Sequence, residues 1–366
     1  MNPLIQVSKT TPIFLVMLAL ACFTLSPTQA QLPPPPPDGG YPNNNTAEGD
    51  SALFNLTTGG ANTATGGASL FFNTTGNNNT AIGQGALFSN TTASANTATG
   101  FQALASNTTG DLNTATGATA LKGNTTGIDN TANGVDALLS NTTGNNNTAT
   151  GQGALFSNTT ANDNTANGVD ALFSNTTGGS NTATGLQALD SNTTGGNNTA
   201  TGENALFFNT TGFNNTADGF QALLNNTGSS NIAVGSNAGI NLTTGSNTSD
   251  IDNQGLARES ATIRIGTTGT QTKTFIAAIH GVAVVSGAAV KVNAAGQLGT
   301  LPSSKRFKDQ IKPMDKTSEV IYLLKPVTFQ YKRELDPNKT PQFGLIAEEV
   351  ERANPDLVDQ DAQGKV

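Results

Sequence analysis

The stretch NTATGQGALFSNTTANDNTANGVDALFSNTTGGSNTATG, from Asn147 to Gly185, contains nearly the same unit twice and begins it a third time. The unit is 17 residues long, with the consensus N-T-A-x-G-x-x-A-L-x-x-N-T-T-G-x-x. Twelve units follow one another, and the last begins one residue early. They start at Asn45, Asn62, Asn79, Asn96, Asn113, Asn130, Asn147, Asn164, Asn181, Asn198, Asn215 and Asn231.

Four places in the unit hardly vary. Asn opens all twelve units, Ala is third and Gly fifth in all twelve, and Leu is ninth in eleven, Gly239 being the exception. A fixed short period is typical of stacked structural repeats, and 17 residues are too few for a helical hairpin. The sequence therefore predicts a mainly β protein, in which each unit forms one coil of a β-solenoid or β-roll over residues 45–254.

Each unit has the residues that such a coil needs. The piece N-T-A-x-G favours a short strand with Ala pointing inward and Thr outward, and Gly and Asn suit the turns. Two Ala and one Leu per unit form a thin core, so no coil is stable alone. Stacked coils align identical Asn side chains in hydrogen-bonded ladders. At about 4.8 Å per coil, twelve coils form a rod of about 58 Å.

The composition agrees with this thin core. Of 366 residues, 35% are hydrophobic and 11% charged, and there is no Trp. This is too few apolar residues for a globule of this length and too few charges for a typical disordered chain. The formal charge is −8, with ten acids and one Lys between residues 45 and 247. No basic stripe is present, which argues against nucleic acid as a partner.

The N-terminus has the pattern of an export signal. Lys9 precedes the apolar run TPIFLVMLALACFTL, which is short for a membrane span, and SPTQA ends in a small residue at Ala30. We expect a signal peptide over 1–30, a Pro-rich linker over 31–44, and no membrane span after processing. The sequence thus predicts a secreted or cell-surface protein. Cys22 lies inside the run, which leaves lipidation open.

A β-rich neck or stalk is predicted over residues 255–302, where short alternating segments such as TIRIG and VKVN are separated by Gly. The only histidine, His280, lies there without further metal-ligating residues nearby in the sequence. We therefore expect it to be a packed or surface residue and not a metal ligand. Asp does not recur at a fixed place in the repeats, unlike in calcium-binding repeats. We expect no metal and no cofactor.

The place after the repeated Leu bears on assembly. It holds Phe in units such as that of Phe173, yet also Asp190 and Lys122, which a wholly buried place does not accept. Three rods bundled around an axis bury more of the Phe face, which predicts a homotrimer. The repeats resemble the head repeats of trimeric autotransporter adhesins, left-handed β-rolls that also stack short xAxG strands.

The segment 303–366 has ordinary globular sequence. It contains SSKRFKDQI (303–311), LKPVTFQYK (324–332), GLIAEEV (344–350) and PDLV (355–358) in order. KTSEVIYLL favours a helix after Asp315, VTFQYK alternates as a strand, and GLIAEEVERANP favours a strand end followed by a helix. The segment resembles the C-terminal intramolecular chaperone domain of phage endosialidases and other tail fibres, a small α+β domain.

This resemblance implies that the domain helps three chains to assemble and then releases itself through a Ser-Lys dyad. Ser303 occupies the nucleophile place and Lys308 that of the general base, while Ser304 stands where the family commonly has Asp. A serine hydroxyl needs a nearby base, and a lysine serves only when burial lowers its pKa. The family domain continues with a further strand and a long helix, so we expect a C-terminally incomplete domain ending at DAQGKV.

Together these features predict an exported trimeric fibre, adhesin-like and structural, whose partners are its own copies and an unknown extracellular surface or glycan. We expect at most one enzymatic activity, self-cleavage beside Ser303, and no activity on other substrates. An alternative is a solenoid that binds a specific surface such as ice or glycan through its T-x-T motifs. That Thr array is interrupted at the fourth place of the unit, which holds Glu48, Ile82, Asn133, Asn167 and Asp218 in five of the units.

Overall fold

A computed structural model describes residues 40–276, 290–292, 296–300, 309–311, 315–330, 332–333, 339 and 341–358. The chain divides into two compact units, one up to Thr267 and one from Thr268. The segment predicted as a signal peptide and the five prolines of the predicted linker lie outside the described residues.

The first unit is one long sheet of short strands. Strand β1 pairs antiparallel with β2, and from β2 to β15 each strand pairs in parallel with the next in the chain. The strands are β1 Gly40–Tyr41, β2 Asn45–Glu48, β3 Thr63–Thr65, β4 Thr80–Ile82, β5 Thr97–Thr99, β6 Thr114–Thr116, β7 Thr131–Asn133, β8 Thr148–Thr150, β9 Thr165–Asn167, β10 Thr182–Thr184, β11 Thr199–Thr201, β12 Thr216–Asp218, β13 Ile232–Val234, β14 Ser249–Ile251 and β15 Ile263–Ile265. The predicted β-solenoid is confirmed.

The inward and outward sides of each strand are those predicted. In β8, Ala149 is buried between the exposed Thr148 and Thr150, and the other repeat strands follow the same order. The Ala-Leu pair that follows most strands, such as Ala154 and Leu155, is also fully buried. Together with the strand Ala, these side chains form one continuous core along the rod, although Ser69 replaces the Ala in the second repeat and Gly239 the Leu in the twelfth. Since each coil adds so little apolar surface, its stability depends on its two neighbours.

The repeated Leu has an unusual backbone conformation. Leu155 has a φ of 53°, in the left-handed region that a branched side chain rarely adopts. This conformation directs the Leu side chain into the core, while its backbone N–H donates to the carbonyl of Ala171 in the next coil at 2.9 Å. The buried side chain and the inter-coil hydrogen bond offset the local strain.

The invariant fifth-place glycine is required by both conformation and space. Gly151 has a φ of 135°, and a Cβ built on it would lie 2.6 Å from the carbonyl carbon of Gly168 in the next coil. Real Cβ atoms do not approach a backbone carbon so closely. The glycine therefore allows successive coils to stack at their turn.

Two ladders of buried asparagines run along the core. Asn147 donates from Nδ2 to Oδ1 of Asn130 at 3.1 Å, and also to the carbonyl of Ala161 across its own coil at 2.8 Å. In the second ladder, Asn158 donates to Oδ1 of Asn141 at 2.9 Å. These side chains are fully buried, and the ladders satisfy their polar atoms. The predicted Asn ladders are thus present.

The solenoid extends beyond the twelve units at both ends. Residues 40 and 41, at the end of the predicted linker, form β1 and cover the first edge of the sheet. At the other end, β14 and β15 continue the parallel stack. The solenoid therefore has about thirteen coils, and the last one, from Thr248 to Ala261, is shortened to 14 residues. We number the coils from 1 at Asn45 to 13 at Thr248.

The second unit has smaller elements. Strands β16 (Val290–Val292) and β17 (Leu298–Thr300) form an antiparallel pair, as do β18 (Val327–Phe329) and β19 (Gln342–Gly344). A 3-10 helix spans Asp315–Leu323, helix α1 spans Ala347–Ala353, and a short 3-10 helix spans Pro355–Leu357. This order agrees with the helix, strand and strand-to-helix segments predicted from the sequence, although the first helix is of the 3-10 type.

Candidate functional site

The outward face of the sheet carries a regular array of threonines. The second place of the unit is Thr in eleven successive coils, from Thr46 to Thr216, and the strands are in register. Ile232 ends this column. The fourth-place column beside it is mixed and includes Ile82 and Asp218. One face of the rod is therefore a hydroxyl-bearing surface with an unbroken column and an interrupted one.

A second surface is the tenth column, the side chains that follow the buried Leu of each coil. From coil 1 to coil 12 it consists of Phe54, Phe71, Phe88, Ala105, Lys122, Leu139, Phe156, Phe173, Asp190, Phe207, Leu224 and Ile240. Phe54 is exposed and the other eleven are half-buried. The tenth column is thus an apolar stripe with one positive and one negative side chain.

Five of the six rings of the tenth column stack on one another. Phe54 and Phe71, and Phe71 and Phe88, have ring centroids 5.4 Å apart, and Phe156 and Phe173 are 4.8 Å apart, all nearly parallel. Burial raises the pKa of Asp190, and the nearby Asp170 carboxylate adds to the effect. Asp190 therefore lies in a partly desolvated strip, and Lys122 is half-buried in the same column.

A third surface is the sixth column, the side chains that follow the fifth-place glycine. It includes exposed apolar side chains in five coils. Coils 2 to 9 have no charged residue at this place, whereas coils 1 and 10 have Asp50 and Glu203. The apolar members are Phe101, Val135, Val169, Leu186 and Phe220.

The last coil contains a buried acid in the core. Asp250 stands where coils 1 to 12 have the third-place Ala, and its side chain is fully buried. Neither of its carboxylate oxygens has a hydrogen-bond partner in the structure. A Cβ built on Gly239, which replaces the repeated Leu, would lie 3.4 Å from Oδ2 of Asp250. The carboxylate therefore occupies volume that the missing Leu leaves in the core.

Two charged residues lie near this acid. Arg264 of β15 stands opposite Asp250 in register, but its Nε and Nη2 donate to Glu259 at 2.7 and 2.6 Å. Burial, and to a lesser extent the nearby Glu259 carboxylate, raise the pKa of Asp250 to about 6 against the opposing effect of Arg264. Sequence reasoning missed this site, although the loss of Ala at the third place of a thirteenth coil was a usable signal.

The second unit exposes large apolar side chains. Tyr322 on the 3-10 helix is 89% exposed and Phe343 on β19 is 86% exposed. Among the described residues of this unit, Val350 on α1 is the only hydrophobic side chain that is buried. The described part of the unit therefore has very little core of its own.

The predicted catalytic pair lies outside the described residues. Ser303 and Lys308 both fall in the gap between residues 300 and 309, so the structure does not test their geometry. Cys22 and His280 also lie outside the described ranges. Within those ranges, no group of three or more His, Cys, Asp or Glu side chains is placed to hold a metal ion. The described helices include none that is long and apolar enough to cross a membrane.

Comparison with known proteins finds a match at the C-terminus. No curated protein and no solved structure matches the chain. The matched segment contains the four motifs quoted in the sequence analysis and begins at Ser303, the predicted nucleophile. Residues 303–359 match the family model described as the chaperone of endosialidase.

Proposed function

We propose that this chain is an exported, adhesin-like fibre protein whose C-terminal domain brings three copies together and then releases itself beside Ser303. The observation that carries the proposal is the family match over residues 303–359, joined in one chain to a β-solenoid of about thirteen coils. A fibre is the natural product of a rod-like repeat domain and a domain of a trimer-forming chaperone family.

The exposed side chains of the second unit support self-association. Tyr322 and Phe343 project from a unit whose described residues bury little apolar surface. Apolar side chains exposed to this extent are stabilised when another copy covers them. The sixth column offers a similar apolar contact along the solenoid, and it is free of charge from coil 2 to coil 9. In a parallel trimer, identical places of the three chains face one another. The sixth column is compatible with this arrangement because coils 2 to 9 bring no like charges together there.

Self-cleavage follows from the Ser-x-x-x-x-Lys spacing at the start of the matched segment. Lys308 accepts the hydroxyl proton of Ser303, and the Ser303 oxygen attacks the carbonyl carbon of the adjacent peptide bond. The proton then passes to the leaving amine, and water hydrolyses the ester. A lysine acts as a base near neutral pH only when burial depresses its pKa, and assembly of three copies supplies that burial.

Release of the chaperone makes the fibre kinetically stable, since the cleaved fibre loses the domain that guided its assembly. Export, either to the medium or to the cell surface, completes the proposal. It rests on the apolar run before Ala30, which has the pattern of an export signal.

The test compares the wild-type chain with Ser303→Ala and Lys308→Ala on denaturing gels, in heated and unheated samples. Ser304→Ala is the matched control, because it removes the neighbouring hydroxyl but keeps the dyad. We expect wild type and the control to yield a fragment ending near residue 303, and both dyad variants to remain intact. A band at about three times the chain mass in unheated lanes reports the trimer. An intact, monomeric wild-type chain contradicts the proposal.

A second candidate function is favoured by the unbroken Thr column of coils 1 to 11. Equally spaced hydroxyls on a flat parallel sheet can order water or bind a repetitive surface such as ice or a glycan. A thermal-hysteresis measurement tests the ice case, with Thr148→Lys and Thr165→Lys as disrupting variants. Hysteresis in wild type that these variants abolish supports the alternative, and its absence from wild type removes ice.

A further inference from the structure

The tenth column has a geometry that suits contact with protein more than with a flat ligand. Five of its six rings stack face to face between coils, as in Phe156 and Phe173 at 4.8 Å, so each of these five has at least one face covered by another ring. A sugar or a base stacks on an exposed ring face. Exposed ring edges are instead suited to packing against other apolar side chains.

The neighbouring column leaves the central part of this stripe open. At the eleventh place, coils 3 to 9 carry only Ser or Gly, whereas Phe72 and Phe208 stand in coils 2 and 10. Small side chains along seven coils allow another elongated surface to approach the tenth column closely.

The two charges of the column decide which way a second copy can lie. Lys122 is in coil 5 and Asp190 in coil 9, so Phe156 in coil 7 is midway between them. In any parallel arrangement in register, Lys122 faces Lys122 and Asp190 faces Asp190. Like charges in a desolvated strip are strongly unfavourable. The sequence predicted that this column packs around the axis of a homotrimer. The order of its two charges argues against placing it at that axis.

An antiparallel arrangement centred on Phe156 reverses the outcome. Coil 5 then faces coil 9, and Lys122 lies opposite Asp190 at two symmetric places. Every other facing pair is apolar: Phe156 with itself, Leu139 with Phe173, Ala105 with Phe207, Phe88 with Leu224, and Phe71 with Ile240. The midpoint of the charges is also close to the middle of the column, so that eleven of the twelve coils overlap.

We infer that the tenth column is a homophilic contact, through which fibres on two opposing surfaces pair antiparallel with Lys122 of one against Asp190 of the other. The inference rests on the proposed fibre function and names its partner as a second copy of this chain. Fibres on one surface point the same way and present like charges to each other. The charge order therefore selects contact between surfaces over contact within one.

The size of the contact suits a weak, repeated interaction. Eleven facing coils extend about 50 Å, and a strip about 12 Å wide buries on the order of 1,200 Å² in total, the lower limit of stable interfaces. Many fibres on each surface then provide avidity. The half-buried acids of the seventh column, Asp136 in coil 6 and Asp170 in coil 8, face each other at two symmetric places in this arrangement and limit the strength of each contact.

The experiment uses beads coated with the full chain, coupled through its N-terminus and labelled in two colours. The variants are Lys122→Asp, Asp190→Lys and the double exchange of both. The tenth place already accepts Lys and Asp in different coils, so these variants keep the fold. Asp218→Lys, on the strand face, is the matched control. Circular dichroism and the unheated gel band confirm that each variant folds and assembles like wild type.

We expect beads of wild type, of the control and of the double exchange each to cluster with themselves. The single variants cluster at least about tenfold more weakly, because each places like charges opposite one another. Wild-type beads do not cluster with double-exchange beads, because Lys then faces Lys and Asp faces Asp. Parallel contact predicts the reverse: wild type clusters with the double exchange, and neither clusters with itself.

Three outcomes overturn the inference. These are the parallel result, equal clustering of all variants, and no clustering by wild-type beads. If the unheated trimer band persists in these cases, the fibre function stands and only the homophilic contact fails. If wild type shows neither trimer nor cleavage fragment but its beads cluster as expected, the contact stands and the proposed fibre function fails.

Discussion

The two units of the chain bury their side chains in opposite ways. In the solenoid, every coil from the second to the eleventh buries Asn, Ala and Leu completely, between its two neighbouring coils. In the described part of the second unit, Val350 alone is a buried hydrophobic residue, and Tyr322 and Phe343 project outward. A repeated sequence is stabilised by its own next copy in the chain, whereas the described residues of the second unit leave their large apolar side chains without such cover.

The largest expected effect breaks the stacking of the solenoid at a fifth-place glycine. Gly151→Ala places a Cβ against the carbonyl of Gly168 and forces a strained φ of 135°. We expect a loss of about 3–5 kcal/mol in the free energy of unfolding, from overpacking and backbone strain together. Thermal or denaturant unfolding measures it.

The control for this variant is Gly67→Ala. Gly67 has no atom within 4 Å of a built Cβ, and its φ is not in the left-handed region. We expect a change within about 0.5 kcal/mol. Equal effects at both glycines contradict the role assigned to the inter-coil contact.

The next largest effect removes a core leucine. Leu155→Ala is expected to cost about 2–5 kcal/mol, because the site is fully buried and the neighbouring coils hold it open. Leu139→Ala, in the half-buried tenth column, is the matched variant and is expected to cost clearly less. Urea unfolding of both variants shows whether the core or the stripe stabilises the rod. A greater loss at Leu139 would reverse this assignment.

A smaller effect concerns pH at the end of the solenoid. The pKa of Asp250 is raised to about 6, above its unfolded value of about 3.9. The unfolded chain therefore releases this proton first as pH rises. The contribution of Asp250 to the free energy of unfolding therefore falls by about 3 kcal/mol between about pH 4 and pH 6. Above that range it stays low. Hydrogen exchange of coils 12 and 13 measures this stability.

Asp250→Asn isolates the effect. We expect it to protect these coils more than wild type does at pH 7, with the advantage vanishing near pH 4. Comparison with wild type at each pH also removes the contribution of Glu259, whose pKa is lowered by its hydrogen bond with Arg264. Asp218→Asn, on the exposed strand face, is the control. An advantage that is the same at both pH values would show that the buried charge is not its source.

The smallest effect on chain stability is expected in the second unit. Phe343→Ser changes a side chain that is 86% exposed, so unfolding of a single chain changes by about 0.5 kcal/mol or less. If the side chain instead packs between copies, the unheated trimer band is lost while the solenoid stays folded. A variant that assembles like wild type would remove Phe343 from the contact between copies.

Much of the solenoid is predictable because each unit solves the same packing problem. Ala149 and Leu155 were assigned to the core, and Thr148 to the outside, from their fixed places in the unit. The left-handed conformation of Leu155 was not predictable, because hydrogen bonding to the next coil imposes it against the preference of the residue. The thirteenth coil was missed because Thr248 and Asp250 replace the marker Asn and Ala.

The candidate catalytic pair stands differently. Ser303 and Lys308 were predicted from a resemblance and their spacing, and they lie in the gap of the described ranges. Their pairing remains a prediction, since a lysine becomes a base through burial, and spacing alone does not specify burial. By contrast, the charge order of the tenth column is visible in the sequence once the structure shows which places share a column.

The Asn ladders have a consequence for how such a chain changes over generations. Each Asn donates to the Oδ1 of the Asn in the preceding coil, and its own Oδ1 accepts in the same way from the next coil. One internal coil can therefore be removed or duplicated without creating a new interface. Unequal recombination within the repeated gene then alters the length of the solenoid in steps of about 4.8 Å per coil. A lineage can thereby change the length of its rod without searching for a new fold.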